Sequence, residues 1–374
     1  MARILHLIAS NQRRGAETFA VELAAHLRDA GHEVKVMALV DAGVEEPLPV
    51  QVAGSARFDP AGIARIIRAA RWADMMTSFG STSLITGSAI ARMTHTPFVY
   101  RNIGDPAVWG AARLSGIRVG LPARSAALIV ALYPDAALSL ANLYRIDPQR
   151  IRIIPRGVPA QRFHPADDAE RIAAREHLGL AQDRRWLAYL GALSPEKDPR
   201  LALDALALLP PDVGLVIAGD GSMQAEIAEA AKSFGDRVRL LGVVDDVRPV
   251  LAASDALILP SKTEGIPGAA IEASLSGLPV IATRVGGVPT VVTDGVGGFL
   301  ITPGSAVELA HATLRALEQR DEMGARARAI CLEKFSMRPV GAAWEGVIEE
   351  LVTKVPAPRP VCVSTPSRSS APPS

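Results

Sequence analysis

Two glutamates, Glu264 and Glu272, are separated by seven residues, and the backbone between them opens with Gly265-Ile266-Pro267-Gly268. An ionised carboxylate is a strong acceptor for hydroxyl hydrogens. Amides at the start of a helix have no partner inside the helix and favour an anion. If a helix begins at these glycines, Glu264 falls in the loop before it and Glu272 about one turn in. The segment then offers a carboxylate for hydroxyls, amides for phosphate and a second carboxylate for a ribose, a contact that recurs in nucleotide-binding sheets.

Three further places carry residues suited to the same ligand. Gly15, in Asn11–Glu17 (NQRRGAE), lets backbone amides approach a phosphate, and serves equally as a turn glycine. Lys197 closes GALSPEK, where a fixed cation meets a diphosphate or simply faces water. Gly221 lies in GDGS, which permits either close approach to a ligand or an ordinary strand-to-helix turn. The pattern G-x-G-x-x-G is absent after Ser10, which weighs against an NAD-dependent oxidoreductase. The seven histidines are scattered without ligand spacing, so no metal is expected. Cys331 and Cys362, the only cysteines, do not make a disulfide framework.

Each of these places follows a short apolar run, and such runs predict the elements that position them. In the first half they are Arg3–Ser10, Glu33–Val40, Asp74–Phe79, Pro97–Ile103, Leu128–Leu132 and Arg152–Pro155. In the second half they are Trp186–Leu193, Gly214–Ala218, Val238–Val244, Ala256–Pro260, Pro279–Ala282 and Phe299–Ile301. Helical stretches alternate with them, most clearly Ala16–Ala30, where Phe19, Leu23, Leu27 and Ala30 recur at three-to-four spacing before Gly31. Strands alternating with helices predict an α/β protein of two doubly wound parallel sheets, with ligands beyond the carboxyl ends of the strands.

The length of 374 residues suits two domains with a cleft between them. The boundaries read as 1–160 for a first Rossmann-like domain and 161–336 for a second. A helix over 337–353, with Trp344, Val347, Ile348 and Leu351 apolar, is suited to crossing back to the first domain. A Pro- and Ser-rich tail, 354–374, has the composition of a disordered segment.

MARILHLIAS reads as a first strand and not as a signal peptide, and no run of about 18 apolar residues offers a membrane span. A cytoplasmic protein is expected, with peripheral contact at the inner face of the membrane as an option. Splitting the chain at Pro165 leaves 19 Lys+Arg against 12 Asp+Glu before it and 21 against 27 from it onward, that is +7 against −6. The first half therefore suits an anionic partner or simply reflects arginine as the default surface cation. Arg113–Arg124 (RLSGIRVGLPAR) interleaves basic and apolar residues, a pattern for an anionic membrane or for a solvated loop.

The stretch Ser261–Leu300, SKTEGIPGAAIEASLSGLPVIATRVGGVPTVVTDGVGGFL, resembles the signature region of the retaining glycosyltransferases of family 4, which have the GT-B fold. RGAETFAVELAAHLRDAGHEV, IRIIPRGV, GALSPEK, IAGDGS and LGVVDDVRPVLAASDALILPS follow the family in order and spacing. The resemblance implies transfer of a sugar from a nucleotide-diphosphate sugar to an acceptor hydroxyl, with retention and without a metal or other cofactor. It places Glu264 on the donor sugar, Gly265, Ile266 and Pro267 near the phosphates, and Glu272 on the ribose. Lys197 would neutralise the diphosphate with Gly15 closing over it, and Val243 or Val244 would lie beside the base. A saccharide, lipid-linked or small-molecule acceptor is implied, and no nucleic acid.

Two departures stand out. The family's donor-loop arginine is replaced by Ala192, and Arg156 at the domain junction is the candidate substitute. In place of a histidine near the donor sugar the chain reads YRNIGDP, so Arg101, Asn102 and Asp105 are the candidate acceptor-side contacts. The alternatives are a nucleotide-sugar epimerase on the same fold and a catalytically inactive nucleotide-sugar-binding relative.

Overall fold

The computed structural model describes residues 1–106 and 116–353. Residues 113–115 of the basic and apolar stretch, and the tail 354–374, lie outside the described residues. Seven strands, β1 (Arg3–Ser10), β2 (Glu33–Val40), β3 (Gln51–Gly54), β4 (Met75–Phe79), β5 (Phe98–Arg101), β6 (Leu128–Ala131) and β7 (Ile151–Ile153), form one sheet in the order 3-2-1-4-5-6-7. Six more, β8 (Arg185–Leu190), β9 (Val213–Ala218), β10 (Val238–Gly242), β11 (Ala256–Leu259), β12 (Val280–Thr283) and β13 (Gly298–Ile301), form a second in the order 10-9-8-11-12-13. Every strand pairing is parallel.

Runs such as LIVA in β6, ALIL in β11 and VIAT in β12 are buried throughout, as strands covered by helices on both faces require. β3 escapes the sequence reading because QVAG has neither an apolar run nor alternation. It becomes a strand by pairing with β2 at the sheet edge, Ala38 opposite Val52. In each sheet the strand order reverses direction once beside the first strand, between β1 and β4 and between β8 and β11. A crevice opens beyond the carboxyl ends at such a point, and the loops after these four strands are therefore the ones to inspect.

The helix Gly15–Asp29 buries Phe19, Ala20, Leu23, Ala24 and Leu27 against the first sheet. It stops at Gly31, whose φ of +91° suits a residue without a side chain. The helix Met337–Thr353 lies on the same sheet: Trp344, Val347 and Ile348 join the cluster of Ile4, Ile8, Phe19 and Phe79. The Trp344 and Phe79 rings stack with centroids 6.3 Å apart. Glu350 grips Arg152 with both carboxylate oxygens, at 2.9 and 2.8 Å, and Glu345 meets His32 at 2.8 Å. The C-terminal helix thus returns to the first sheet, and the chain crosses between the two lobes twice. The crossings meet where Val158 and Phe335–Met337 exchange backbone hydrogen bonds of 2.9 and 3.0 Å.

Candidate functional site

The loops after β8 and β11 face each other across the second reversal point and bring Lys197 and Glu264 together. Lys197 Nζ donates to Glu264 Oε1 at 2.6 Å, and Ser261 Oγ donates to the same oxygen at 2.7 Å. Glu264 is buried while the lysine head keeps partial access to solvent. A carboxylate fixed by two donors still has lone pairs free on Oε2 for an incoming hydroxyl.

The backbone around this pair is held from several sides. Lys262 N–H donates to the Glu196 carbonyl at 2.7 Å, and Leu193 N–H to the Asp220 carbonyl at 2.9 Å. The Tyr189 hydroxyl donates to the Ala192 carbonyl at 2.9 Å. Its pKa is pushed above the ordinary tyrosine value, first by burial and then by the charges of Glu264 and Asp198. Gly219, Gly221 and Gly286 sit where no side chain fits. A Cβ on them would lie 1.9 Å from the Gly191 carbonyl oxygen, 2.4 Å from that of Leu193 and 1.8 Å from that of Glu264. These glycines let the loops close-pack, so Gly221 acts on the site by allowing the GALSPEK loop to lie against it.

Pro267 precedes the helix Gly268–Leu275 and offers no side-chain cap, so the first-turn amides are open. Ile266 is buried, and Gly265 lies against the first lobe: a Cβ there would be 2.7 Å from the Ile103 carbonyl oxygen. Glu272, on the second turn, accepts from Arg156 Nη2 at 3.2 Å. Arg156 Nη1 would be 2.1 Å from a Cβ on Gly268 and 3.1 Å from one on Gly15. The guanidinium therefore sits where the start of the helix Gly15–Asp29 meets that of Gly268–Leu275. Two helix N-termini and a cation converge here, with Glu272 among the counter-charges. Glu22 is another. Burial raises its pKa, the positive charge of Arg156 opposes that shift, and the negative charge of Glu272 adds to it.

Val243 lies just past β10 and is 74% exposed, open to a planar ligand group. On the first lobe Arg101 is 2% exposed, and its guanidinium lies 4.2 Å from the Phe19 ring centroid, with Nε buried and unpartnered. Burial, and then the charge of Arg156, lowers its pKa to about 9. Asn102 and Asp105 do line an open pocket of about 700 Å³ at the carboxyl ends of the first sheet. Burial, and then the charge of Asp105, raises the pKa of Tyr133.

Sequence reasoning did not single out Ser261, Glu22 or the Gly286-Gly287 pair. Glu22 was legible as the residue two helical turns after Gly15 on one face. The glycine pair was visible only as a turn, because its partner, the backbone of Glu264 and Gly265, is distant in sequence. Among the described residues no group of three or more His, Cys, Asp or Glu gathers in a metal-site arrangement, and no helix is long and apolar enough to cross a membrane.

Residues 13–162 match the family model described as Glycosyltransferase Family 4, and residues 184–319 match that of Glycosyl transferases group 1. D-inositol 3-phosphate glycosyltransferase of Geodermatophilus obscurus is 34% identical over 241 residues, 60% of this chain and 51% of that protein. The enzyme of the same name from Mycolicibacterium gilvum is 40% identical over 174 residues, 44% and 38% of the two chains. The chain thus spans about half the length, or less, of the curated relatives it matches. Among solved structures, Anabaena Alr3699/HepE in complex with UDP-glucose superposes with a TM-score of 0.83 at 23% identity, covering 94% of this chain and 100% of that one. Sucrose-phosphate synthase from Thermosynechococcus elongatus superposes at 0.79 and 19% identity, covering 95% and 100%. At these identities the likeness is one of fold.

Proposed function

This chain belongs to glycosyltransferase family 4 and has the GT-B fold, and we propose that it moves a hexose from a nucleotide-diphosphate sugar to an acceptor hydroxyl, with retention and without a metal. The observation that carries this reading is the Lys197–Glu264 pair at the second reversal point, beside the meeting of two helix N-termini, Arg156 and Glu272. In the donor complex Glu272 accepts from the ribose hydroxyls, and Val243 flanks the base. The diphosphate lies on the open amides of Gly268–Leu275 beneath Gly15, with Gly265, Ile266 and Pro267 supplying the adjoining backbone. Lys197 and Arg156 then neutralise the charge that grows on the leaving diphosphate, the point at which a preorganised cation lowers the barrier most. Arg156 supplies the charge that the donor loop lacks at Ala192. Glu264 holds the hydroxyls of the donor sugar.

Front-face attack by the acceptor hydroxyl, with the leaving phosphate oxygen taking its proton, needs positioning and charge stabilisation more than a separate base. Asn102 and Asp105 stand on the acceptor side. Work on the acceptor side is compatible with peripheral contact at the inner face of a membrane.

The experiment is incubation with a panel of nucleotide-sugars, beginning with UDP-glucose because the Anabaena protein was solved with it, with release of nucleoside diphosphate followed in chelator with and without hydroxyl acceptors. Acceptor-dependent release with an α-linked product from an α-linked donor is expected. Epimerised donor without transfer, or donor binding with neither transfer nor hydrolysis, would overturn the reading.

A further inference from the structure

Two buried polar atoms of opposite kind stand unmatched where the lobes meet. Nε of Arg156 is buried without a hydrogen-bond partner, and so is Oε2 of Glu22. Buried polar groups are nearly always paired, so an orphan donor beside an orphan acceptor calls for a physical reason. Arg156 follows β7 in the first crossing between the lobes, and Glu22 lies on the helix Gly15–Asp29, two turns after Gly15. The charge of Arg156 acts on Glu22 more strongly than that of Arg162, whose Nη1 stands 3.6 Å from Glu22 Oε1. The two orphans are therefore neighbours.

The pair that Arg156 does form is a loose one. Its bond to Glu272 measures 3.2 Å, against 2.6 Å for Lys197 on Glu264 and about 2.7–2.9 Å for charge-assisted contacts of this kind. A guanidinium is a planar fork of five donors. Nη2 is on Glu272, and Nη1 sits by Gly15 and Gly268, between the starts of two helices, where the diphosphate is proposed to lie. Nε is the nitrogen left without an acceptor.

A ribose that takes Glu272 strips Nη2 of its acid. A half-buried arginine without a counter-charge is costly unless a second carboxylate is at hand. Glu22 is that carboxylate, on the opposite lobe from Glu272 and with Oε2 unused. It lines a cavity of about 590 Å³ at the crossing point with Pro159, Ser336 and Met337, which leaves its side chain room to move. The other charged groups lining that cavity, His26, Asp29 and Arg338, form no ion pair with it among the described residues.

We propose that Glu22 is a positioning residue of the donor site: when ribose hydroxyls occupy Glu272, Arg156 passes from Glu272 to Glu22, which takes Nε and leaves Nη1 and Nη2 facing the diphosphate. The exchange replaces one ion pair with another, so no charge is left stranded. It also moves Arg156 from an acid of the second lobe to one of the first, so that filling the ribose site ties the first lobe to the bound donor. The inference rests on the donor reading, in which Glu272 meets the ribose.

Calorimetry on the full chain tests it, with UDP, ADP and GDP and the 2′,3′-dideoxy form of each. For the diphosphate that the parent binds most tightly, Glu22→Gln should weaken binding about fivefold or more. The same substitution should change binding of the dideoxy form by less than about twofold, because without ribose hydroxyls Arg156 stays on Glu272. In an Arg156→Ala background Glu22→Gln should likewise cost less than about twofold. Glu22→Asp keeps the charge and should bind closer to the parent than Glu22→Gln does; a packing role would give the reverse, since Asp departs further from the shape of Glu. The proposal fails if Glu22→Gln binds the diphosphate as well as the parent or better, as it would were Glu22 only a repelling neighbour. It fails equally if the loss is the same for the dideoxy form, persists without Arg156, or is greater in Glu22→Asp. A parent that binds none of the diphosphates, or binds the dideoxy forms as tightly, sinks the donor reading itself and this inference with it.

Discussion

The two sides of the cleft treat charge in opposite ways. On the donor side the cations have counter-charges before any ligand arrives, Lys197 on Glu264 at 2.6 Å and Arg156 on Glu272 at 3.2 Å. On the first lobe Arg14, Arg57 and Arg118 line one pocket with Asp105, and none of the three arginines is in an ion pair among the described residues. The proposed donor site is thus preorganised by its own ion pairs, and a diphosphate bound there would enter by exchanging partners. The pocket on the first lobe instead carries three arginines and one acid among its described lining, with Arg14 and Arg118 open to solvent. A site of the first kind resists change in salt and loses most when one partner is removed, since the other is left unmatched. A site of the second kind strands no ion-pair partner when a charge is lost.

The largest test removes half of the donor pair. Lys197→Ala or Glu264→Gln should lower turnover about 10²- to 10³-fold, roughly 3–4 kcal/mol of transition-state stabilisation, in steady-state assays of diphosphate release. A loss under fivefold would make the pair structural and erase the contrast between the two walls.

Acid distinguishes the two lobes by a comparable amount. His6 on β1 is fully buried and desolvation lowers its pKa to about 4, while the unfolded chain titrates near 6.5. Its folded pKa is depressed, so the unfolded state takes up a proton first. Stability is therefore complete above pH 6.5 and falls as pH drops toward 4, by about 3 kcal/mol. Urea titrations at pH 7 and pH 4.5 should show this loss, and His6→Gln should remove most of it. An equal loss in the variant would place the acid sensitivity elsewhere.

Arg156→Ala should weaken UDP about tenfold, ~1.4 kcal/mol, by calorimetry, with Arg156→Lys restoring part of it. Unchanged affinity and turnover would mean that Ala192 leaves the donor loop with Lys197 as its one phosphate cation. The smallest effect is at the surface: Arg3→Ala breaks a pair with Asp74 at 2.7 Å and should shift stability by less than about 1 kcal/mol in the same urea titrations.

Much of the candidate donor site was readable in one dimension because its residues lie immediately after strands, at helix starts, within short stretches. Glu264 to Glu272 is one loop and one helix, and the local pattern of acid, glycine and apolar residues specifies both. Twelve of the thirteen strands were visible as short apolar runs, most of them buried on both faces, although β7 and β10 bury none of their residues. β3 was not, since its strand character comes from its neighbour β2.

Arg101 shows the limit of reading by position. It follows a strand as a site residue should, yet its side chain turns inward and lies against Phe19, and nothing in YRNIGDP signals which way it faces. Arg57 and Arg118 show the converse, since one follows an edge strand and the other lies in a turn some sixty residues on.

The sequence by itself determined the alternation of strands and helices, the two-lobed architecture and the local chemistry of each loop, because those depend on hydrophobic period and on residues a few positions apart. Only the tertiary structure decided which charges meet. It set Arg156 between two helix starts, buried Arg101 and brought unpaired arginines to one pocket, because electrostatic interaction depends on distance in space and on the solvent left around each group.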